Sequence, residues 1–233
     1  MSEKKDEALA ACLDGHEGGE PVLVDAAVIR EMVRTPVSLR DDIYEKGYVE
    51  ALALCIDLRG FSSFAASAER ERVTAFLEKY SQELLAAVNG YSASYYKLLG
   101  DGALVIWDEA GPESAEACRD LFRLLREVVA ELAEAHRCDC ALAGGLVLDE
   151  LYKYEIFGEC SGLKYRDYVG YGINIAFRLQ SIAGRGELLG SPSVEARFRF
   201  GSAPLEASRK PTRASIKGIR DEDYEGIVVI ERA

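Results

Sequence analysis

Two carboxylates in this sequence stand where an acid needs a reason. Asp57 follows the apolar run ALALCI, in the stretch IDLRGF, and Asp101 stands in a glycine turn between two apolar runs, in YYKLLGDGALVIW. A buried strand seldom ends on an unpartnered acid, because an isolated charge is expensive to desolvate. If the strands that carry these residues are neighbours, both acids meet at one edge of a sheet. Bare carboxylates at close range repel and raise a pKa. Divalent cations remove that conflict. Hard oxygen ligands suit Mg²⁺ or Mn²⁺, which also bridge phosphates. For Asp101 alone a plain turn role is the simpler reading, since Asp-Gly is common in turns.

The elements that must position these acids are readable from pattern. YVEALALCIDL reads as a buried strand. Residues 62–90 read as one or two helices, with Phe76, Leu77, Tyr80, Leu84 and Leu85 at helical spacing and Asn89-Gly90 as a stop. Two strands joined at Gly100-Asp101-Gly102 form a hairpin, followed by a long amphipathic helix, PESAEACRDLFRLLREVVAELAEAH. CDCALAGGLVLDELYKYEIFG begins a second, tyrosine-rich hairpin that returns through LKYRDYVG. YGINIAFRLQSIA is a helix, GELLGSP a short strand, SVEARFRF a short helix and EGIVVIER a closing strand. The order β-α-β-β-α-β defines an α+β fold with a ferredoxin-like core and C-terminal additions. Residues 1–48 are loop-like and read as an N-terminal extension to a domain spanning 49–233.

Composition narrows the function. The chain has 233 residues, 48% of them hydrophobic, which suits one domain with an extra terminal segment. No apolar run of membrane-spanning length appears, and the first residues lack a signal-peptide core, so a cytoplasmic protein without a membrane partner is expected. Six scattered cysteines are expected as free thiols, with Cys55 and Cys140 in the core. The spacing of His136, Cys138 and Cys140 is not that of a zinc site. A net charge of −12 argues against nucleic acid, which is held largely by Lys and Arg. The absence of G-x-x-x-x-G-K-S/T excludes a Walker-type NTPase.

Three segments, IDLRGFSSF, KLLGDGALVIW and DYVGYGINIAFRL, resemble the signature segments of class III nucleotidyl cyclases, in that family's order and approximate spacing. The resemblance covers about residues 50–230. It implies that Asp57 and Asp101 hold two Mg²⁺ or Mn²⁺ ions per site, with a share taken by the Leu58 carbonyl. It implies that Lys97 and Asp167 read the nucleobase, that Asn174 orients the ribose and that Arg178 stabilises the transition state. Lys217 in SIKGI resembles the family's late phosphate-contacting lysine. The backbone of Arg59, Gly60 and Phe61, at a helix start, is expected to cradle phosphates. The implied reaction is attack of the ribose 3′-hydroxyl on the α-phosphorus of a nucleoside triphosphate, releasing pyrophosphate. The family builds its sites between head-to-tail domains. A single chain carrying the whole set therefore implies a homodimer, with the tyrosine-rich hairpin as the arm that embraces the partner.

Hydrogen-bond polarity leaves the base open, because adenine, cytosine and uracil each offer a lysine an acceptor and an aspartate a donor. The expected chain is a lone catalytic domain with tyrosine after the glycine in DYVGY. It resembles the standalone pyrimidine cyclases of bacterial antiphage (Pycsar) systems, which make cyclic UMP or cyclic CMP for a separately encoded effector. An adenylate cyclase making cyclic AMP is the alternative. A regulatory domain that binds nucleotide without turnover is the alternative of a different class.

Overall fold

The computed structural model describes residues 47–157, 164–206 and 220–232. All lie within the second of two units into which the chain divides, Val37–Ala233. The expected extension, 1–48, falls outside the described residues except for Gly47 and Tyr48, which open the first strand.

In chain order the elements are β1 (Gly47–Arg59), α1 (Phe61–Ser67), α2 (Arg70–Gly90), β2 (Tyr95–Leu99), β3 (Gly102–Trp107), α3 (Pro112–Ala135), β4 (Ala141–Phe157), β5 (Lys164–Val169) and α4 (Tyr171–Ile182). They are followed by β6 (Glu187–Gly190), α5 (Pro192–Phe198), β7 (Ala203–Pro204), α6 (Asp221–Glu225) and β8 (Val228–Glu231). One sheet runs β2-β3-β1-β4-β6-β8-β7, with β5 paired to β4. The portion β4-β1-β3-β2 is antiparallel throughout and is the expected ferredoxin-like core. The addition on the far side of β4 begins with β6, which runs parallel to it.

β1 is central and covered on both faces, which is why its sequence is apolar without alternation. Leu52, Leu54, Ile56 and Leu58 point into a cluster with Phe76, Tyr80 and Leu84 of α2 and Leu121, Phe122 and Leu125 of α3. Ala51, Ala53 and Cys55 point the other way, into a cluster with Ile175, Ala176 and Leu179 of α4. Large side chains face the helix pair and small ones face α4, so α4 lies close on the sheet. Trp107 closes β3 in the core and donates its indole N–H to the Tyr91 carbonyl at 2.9 Å, which is a packing role.

Three local features fix α4. A Cβ on Gly145 of β4 would sit 2.3 Å from the Ala176 carbonyl oxygen, so only glycine admits the helix at this height. At its N-terminus, Asp149 Oδ2 accepts the Gly172 N–H at 2.7 Å. At its C-terminus, Arg59 donates to the Gln180 carbonyl. An acid at the positive end and a guanidinium at the negative end both suit the helix dipole and satisfy groups with no partner inside the helix.

The break between α1 and α2 falls at Ala68 and Glu69, whose ψ angles of 163° and 140° are extended. α3 begins at Pro112, with Ser114 Oγ accepting the Gly111 N–H at 2.8 Å, and buries Ala115, Cys118, Leu121, Phe122, Leu125 and Val129 at helical spacing. Cys55, Cys118 and Cys140 are buried free thiols, and burial raises the pKa of all three, Cys140 to about 12.

The close seat of α4 is directly testable. Gly145→Ala is expected to destabilise the domain by about 1–3 kcal/mol or more, the range for overpacking a filled core. Gly111→Ala, where a Cβ meets nothing within 4 Å, is expected to change stability far less. Urea unfolding of the two variants against wild type measures the difference.

Candidate active site

The IDLRGF stretch ends β1, and the turn that carries Asp101 joins β2 to β3. Ile56 pairs with Ala103, so the next residues, Asp57 and Gly102, stand opposite one another at the end of the ladder. A Cβ on Gly102 would lie 3.1 Å from Asp57 Oδ1 and 2.7 Å from the Ile56 carbonyl oxygen. Gly102 therefore leaves the space in which the Asp57 carboxylate sits. Burial raises the pKa of Asp101, a backbone hydrogen bond partly offsets this, and the charge of Asp57 adds to the rise, as expected of two acids brought together.

The Leu58 carbonyl completes this edge. The Ile56 carbonyl faces β3, and strand alternation puts Leu58's on the same side, beyond the last β1–β3 pair. On the β4 side its opposite residue is Leu142, whose own carbonyl turns away to accept the Gly186 N–H at 2.7 Å. Two carboxylates and a carbonyl thus share one sheet end.

This donor set fits a hard divalent cation, with the remaining positions left to substrate and water. No group of three or more His, Cys, Asp or Glu side chains suited to a metal lies among the described residues. A second observation supports the fit. Tyr80 of α2 is 1% exposed, and its hydroxyl has no hydrogen-bond partner among the described residues. Burial raises its pKa, and Asp57 and Asp101 are close enough to add to that rise. A buried hydroxyl left unpaired costs about 1–3 kcal/mol, and this one lies within electrostatic reach of both acids.

Asp57 is held by Gln180, which the sequence did not single out, and by Arg59, which it singled out for phosphate. Gln180 donates its side-chain amide to Asp57 Oδ2 at 3.1 Å, and an Arg59 guanidinium nitrogen lies 3.9 Å from the same oxygen. Arg59 is thus engaged with Asp57 and the end of α4. Gly60 adopts φ +83°, where a Cβ would also strike the Asp139 carbonyl, and its own carbonyl accepts the Phe64 N–H at 3.0 Å. α1 then starts at Phe61, so the N–H groups of its first turn have no partner within the helix.

Lys97 and Asp167 meet, Nζ to Oδ2 at 2.7 Å. They are two members of a larger cluster. Tyr165 OH accepts from Lys97 at 2.7 Å and donates to Asp167 Oδ2 at 2.6 Å. Tyr95 OH and the Tyr168 N–H both donate to Asp167 Oδ1, at 2.9 and 2.8 Å. Burial pushes the Asp167 carboxyl up, but the donors Lys97, Tyr165, Tyr168 N–H and Tyr95 outweigh it and hold the carboxyl below its usual range. Next to this cluster, Asp108 accepts from Lys153 and from Tyr168 OH, both at 2.8 Å, tying β5 to the end of β3.

The signal for the tyrosines was present in the sequence. Tyr95 precedes Lys97 by two residues and Tyr165 precedes Asp167 by two, so each shares a face of its strand. Gln180 and Asp149 gave no such signal, because their partners are far away in the chain.

Asn174 and Arg178 lie one helical turn apart on α4 and are both exposed, facing away from the buried residues Gly172, Ile173, Ile175, Ala176, Leu179 and Gln180. The hairpin β4–β5 forms in the expected place, with Tyr152 opposite Val169 and Phe157 opposite Lys164. Tyr48, Tyr152 and Tyr154 line one another there, at centroid separations of 5.1 and 6.5 Å. Lys217 lies outside the described residues.

The fold so defined is that of class III adenylyl and guanylyl cyclase catalytic domains. The adenylyl cyclase CyaB from P. aeruginosa superposes with a TM-score of 0.68 at 18% identity, over 81% of this chain and 97% of that one. The catalytic core of a rhodopsin-guanylyl cyclase with converted specificity, in complex with ATPαS, gives 0.62 at 16% identity over 82% and 100%. The guanylate cyclase domain of RhGC from Catenaria anguillulae, in complex with GTP, gives 0.60 at 16% over 78% and 95%. No protein-family model matches the chain, and no curated protein matches it in sequence. No helix among the described residues is long and apolar enough to cross a membrane.

The depressed pKa of Asp167 sets a pH dependence. A carboxyl lowered in the folded state adds stability above its ordinary pKa, and that stability is lost as pH falls through the folded value. Asp167→Asn is expected to be less stable than wild type at neutral pH, with the gap closing below the ordinary carboxylate range. Urea melts at pH 7 and at about pH 3 measure it.

Proposed function

We propose that this chain is a nucleotidyl cyclase, an enzyme that converts a nucleoside triphosphate to a 3′,5′-cyclic nucleotide and pyrophosphate at the interface of a homodimer. The observation that carries this reading is the convergence of Asp57, the Leu58 carbonyl and Asp101 at the end of β1, in a cyclase-type fold. Two of the similar structures are complexes with ATPαS and with GTP, which supports a nucleoside triphosphate as substrate.

In this reading Asp57, Leu58 and Asp101 hold two Mg²⁺ or Mn²⁺ ions. Bound there, the ions supply Lewis acidity toward the ribose 3′-hydroxyl and offset the charge of the triphosphate. Lys97 and Asp167 take the edge of the base. Asn174 orients the ribose, and Arg178 offers a forked donor to charge building on the phosphorus oxygens. The N–H groups after Gly60 and Phe61 face phosphate, Arg59 adds a cation near them, and Lys217 meets the terminal phosphates. Asn174 and Arg178 point to solvent, away from the sheet that carries Asp57, so one chain does not complete a site. A two-fold pair supplies both halves twice, with the β4–β5 hairpin as its arm.

For the base we favour a pyrimidine, giving cyclic UMP or cyclic CMP. Support comes from the resemblance of RDYVGYGINIAFRLQ, with its tyrosine after the glycine, to the standalone pyrimidine cyclases. The Lys97–Asp167 pair itself equally suits adenine, which keeps cyclic AMP as the second reading. From the sequence resemblance, the product would serve as a second messenger for a separate effector in antiphage defence.

Incubation with each of the four NTPs and Mn²⁺ is expected to yield a cyclic nucleotide and pyrophosphate. Asp57→Ala is expected to lose turnover and keep its fold, since the residue ends a strand. A folded Asp57→Ala with full activity would remove the metal assignment. Asp101→Ala mixed with Arg178→Ala is expected to recover part of the activity through hybrid dimers. If hybrids form and stay inactive, the shared-site arrangement is wrong.

A further inference from the structure

The two oxygens of Asp167 differ in a way that bears on which bases the site accepts. Oδ1 is filled from within the protein, by Tyr95 OH at 2.9 Å and the Tyr168 N–H at 2.8 Å. Both residues are buried, at 4% and 3% exposure, and their rings pack with centroids 5.3 Å apart. A carboxylate oxygen has two lone-pair sites, so Oδ1 has no capacity left. Oδ2 is held by Lys97 at 2.7 Å and by Tyr165 at 2.6 Å, from the solvent side, where both side chains are substantially exposed. One oxygen is committed and the other is exchangeable.

Base edges sort by how many oxygens they need. Adenine, cytosine and uracil each present one N–H beside one acceptor, which Oδ2 and Lys97 satisfy together. Guanine presents two adjacent donors, N1–H and the 2-amino group, which ask for both oxygens of a carboxylate. With Oδ1 filled, the guanine 2-amino group has no acceptor.

We infer that Tyr95 is a specificity-determining residue, which commits Oδ1 of Asp167 to the protein interior and so excludes guanine nucleotides from the base site. This rests on the proposed reading of Lys97 and Asp167 as the base-contacting pair. Tyr95 acts through Asp167 and does not itself meet the base. Tyr165 is the exchangeable partner, whose hydroxyl leaves Oδ2 when a base N–H arrives.

Inosine triphosphate tests this on the wild-type protein. Hypoxanthine keeps the guanine ring, N1–H and O6 but lacks the 2-amino group. Wild type is expected to use inosine triphosphate over GTP by roughly tenfold or more in kcat/KM, the scale of one unsatisfied donor. Tyr95→Phe keeps the ring and frees Oδ1, and is expected to bring that ratio close to one. Tyr165→Phe leaves Oδ1 filled and is expected to keep the wild-type ratio.

Equal use of GTP and inosine triphosphate by wild type would overturn the inference, as would use of neither beside an active pyrimidine substrate, since guanine would then be refused for its ring and not for its 2-amino group; neither outcome needs a variant to fold. So would a folded Tyr95→Phe that slows both nucleotides in parallel, which is the mark of a merely structural role. A wild-type protein that cyclises no NTP, and whose melting temperature no NTP shifts with Ca²⁺ present, would instead overturn the cyclase reading itself.

Discussion

The arrangement depends on how closely one helix is allowed to lie on the sheet. α4 rests on the glycine of β4 at position 145 and on the small side chains Ala51, Ala53 and Cys55 of β1. Asp149 and Arg59 hold its two ends with the charges its dipole favours. From that one placement three things follow. Gln180 reaches Asp57, Asn174 and Arg178 are turned outward, and the end of β1 keeps its carboxylate in a fixed position. A helix riding one side-chain layer higher would break the Gln180 contact and loosen both clamps.

The electrostatics divide the candidate site into two kinds of acid. Asp167 is surrounded by donors, so it is ionised and already satisfied before any ligand arrives. Asp101 has the opposite surroundings, with burial and a neighbouring carboxylate both opposing its charge. In the proposed reading the first acid reads a hydrogen-bond donor and the second receives a cation. This contrast in a single chain is a stronger functional mark than either residue by itself.

Much of the fold was legible because burial wrote a plain pattern. β1 is an unbroken apolar run since both its faces are covered, and α3 shows helical spacing since only one of its faces is. The turn around Asp101 was announced by its two glycines. The short elements β7 and α6 were not legible, as two and five residues are too few to show a period. At the candidate site, Asp57 and Asp101 stood out by type and position, and Lys97 and Asp167 only through the resemblance of their segments to class III cyclases. Their supports, Gln180 and Asp149, depend on tertiary placement that local pattern does not encode. Tyr95 and Tyr165 lay between these cases: the strand period put them beside Lys97 and Asp167, but their role appears only when the hairpin brings β2 and β5 together.

The buried thiols have a practical consequence. Cys55 sits in the middle of β1 under α4, and Cys118 lies on the buried face of α3. Neither reacts with an alkylating reagent while its surroundings stay closed, because burial disfavours the thiolate. Labelling of Cys55 therefore reports lifting of α4 from the sheet, and labelling of Cys118 reports separation of α3 from the opposite face. The chain carries its own pair of clocks for the opening of its two layers, readable by mass spectrometry without adding a probe.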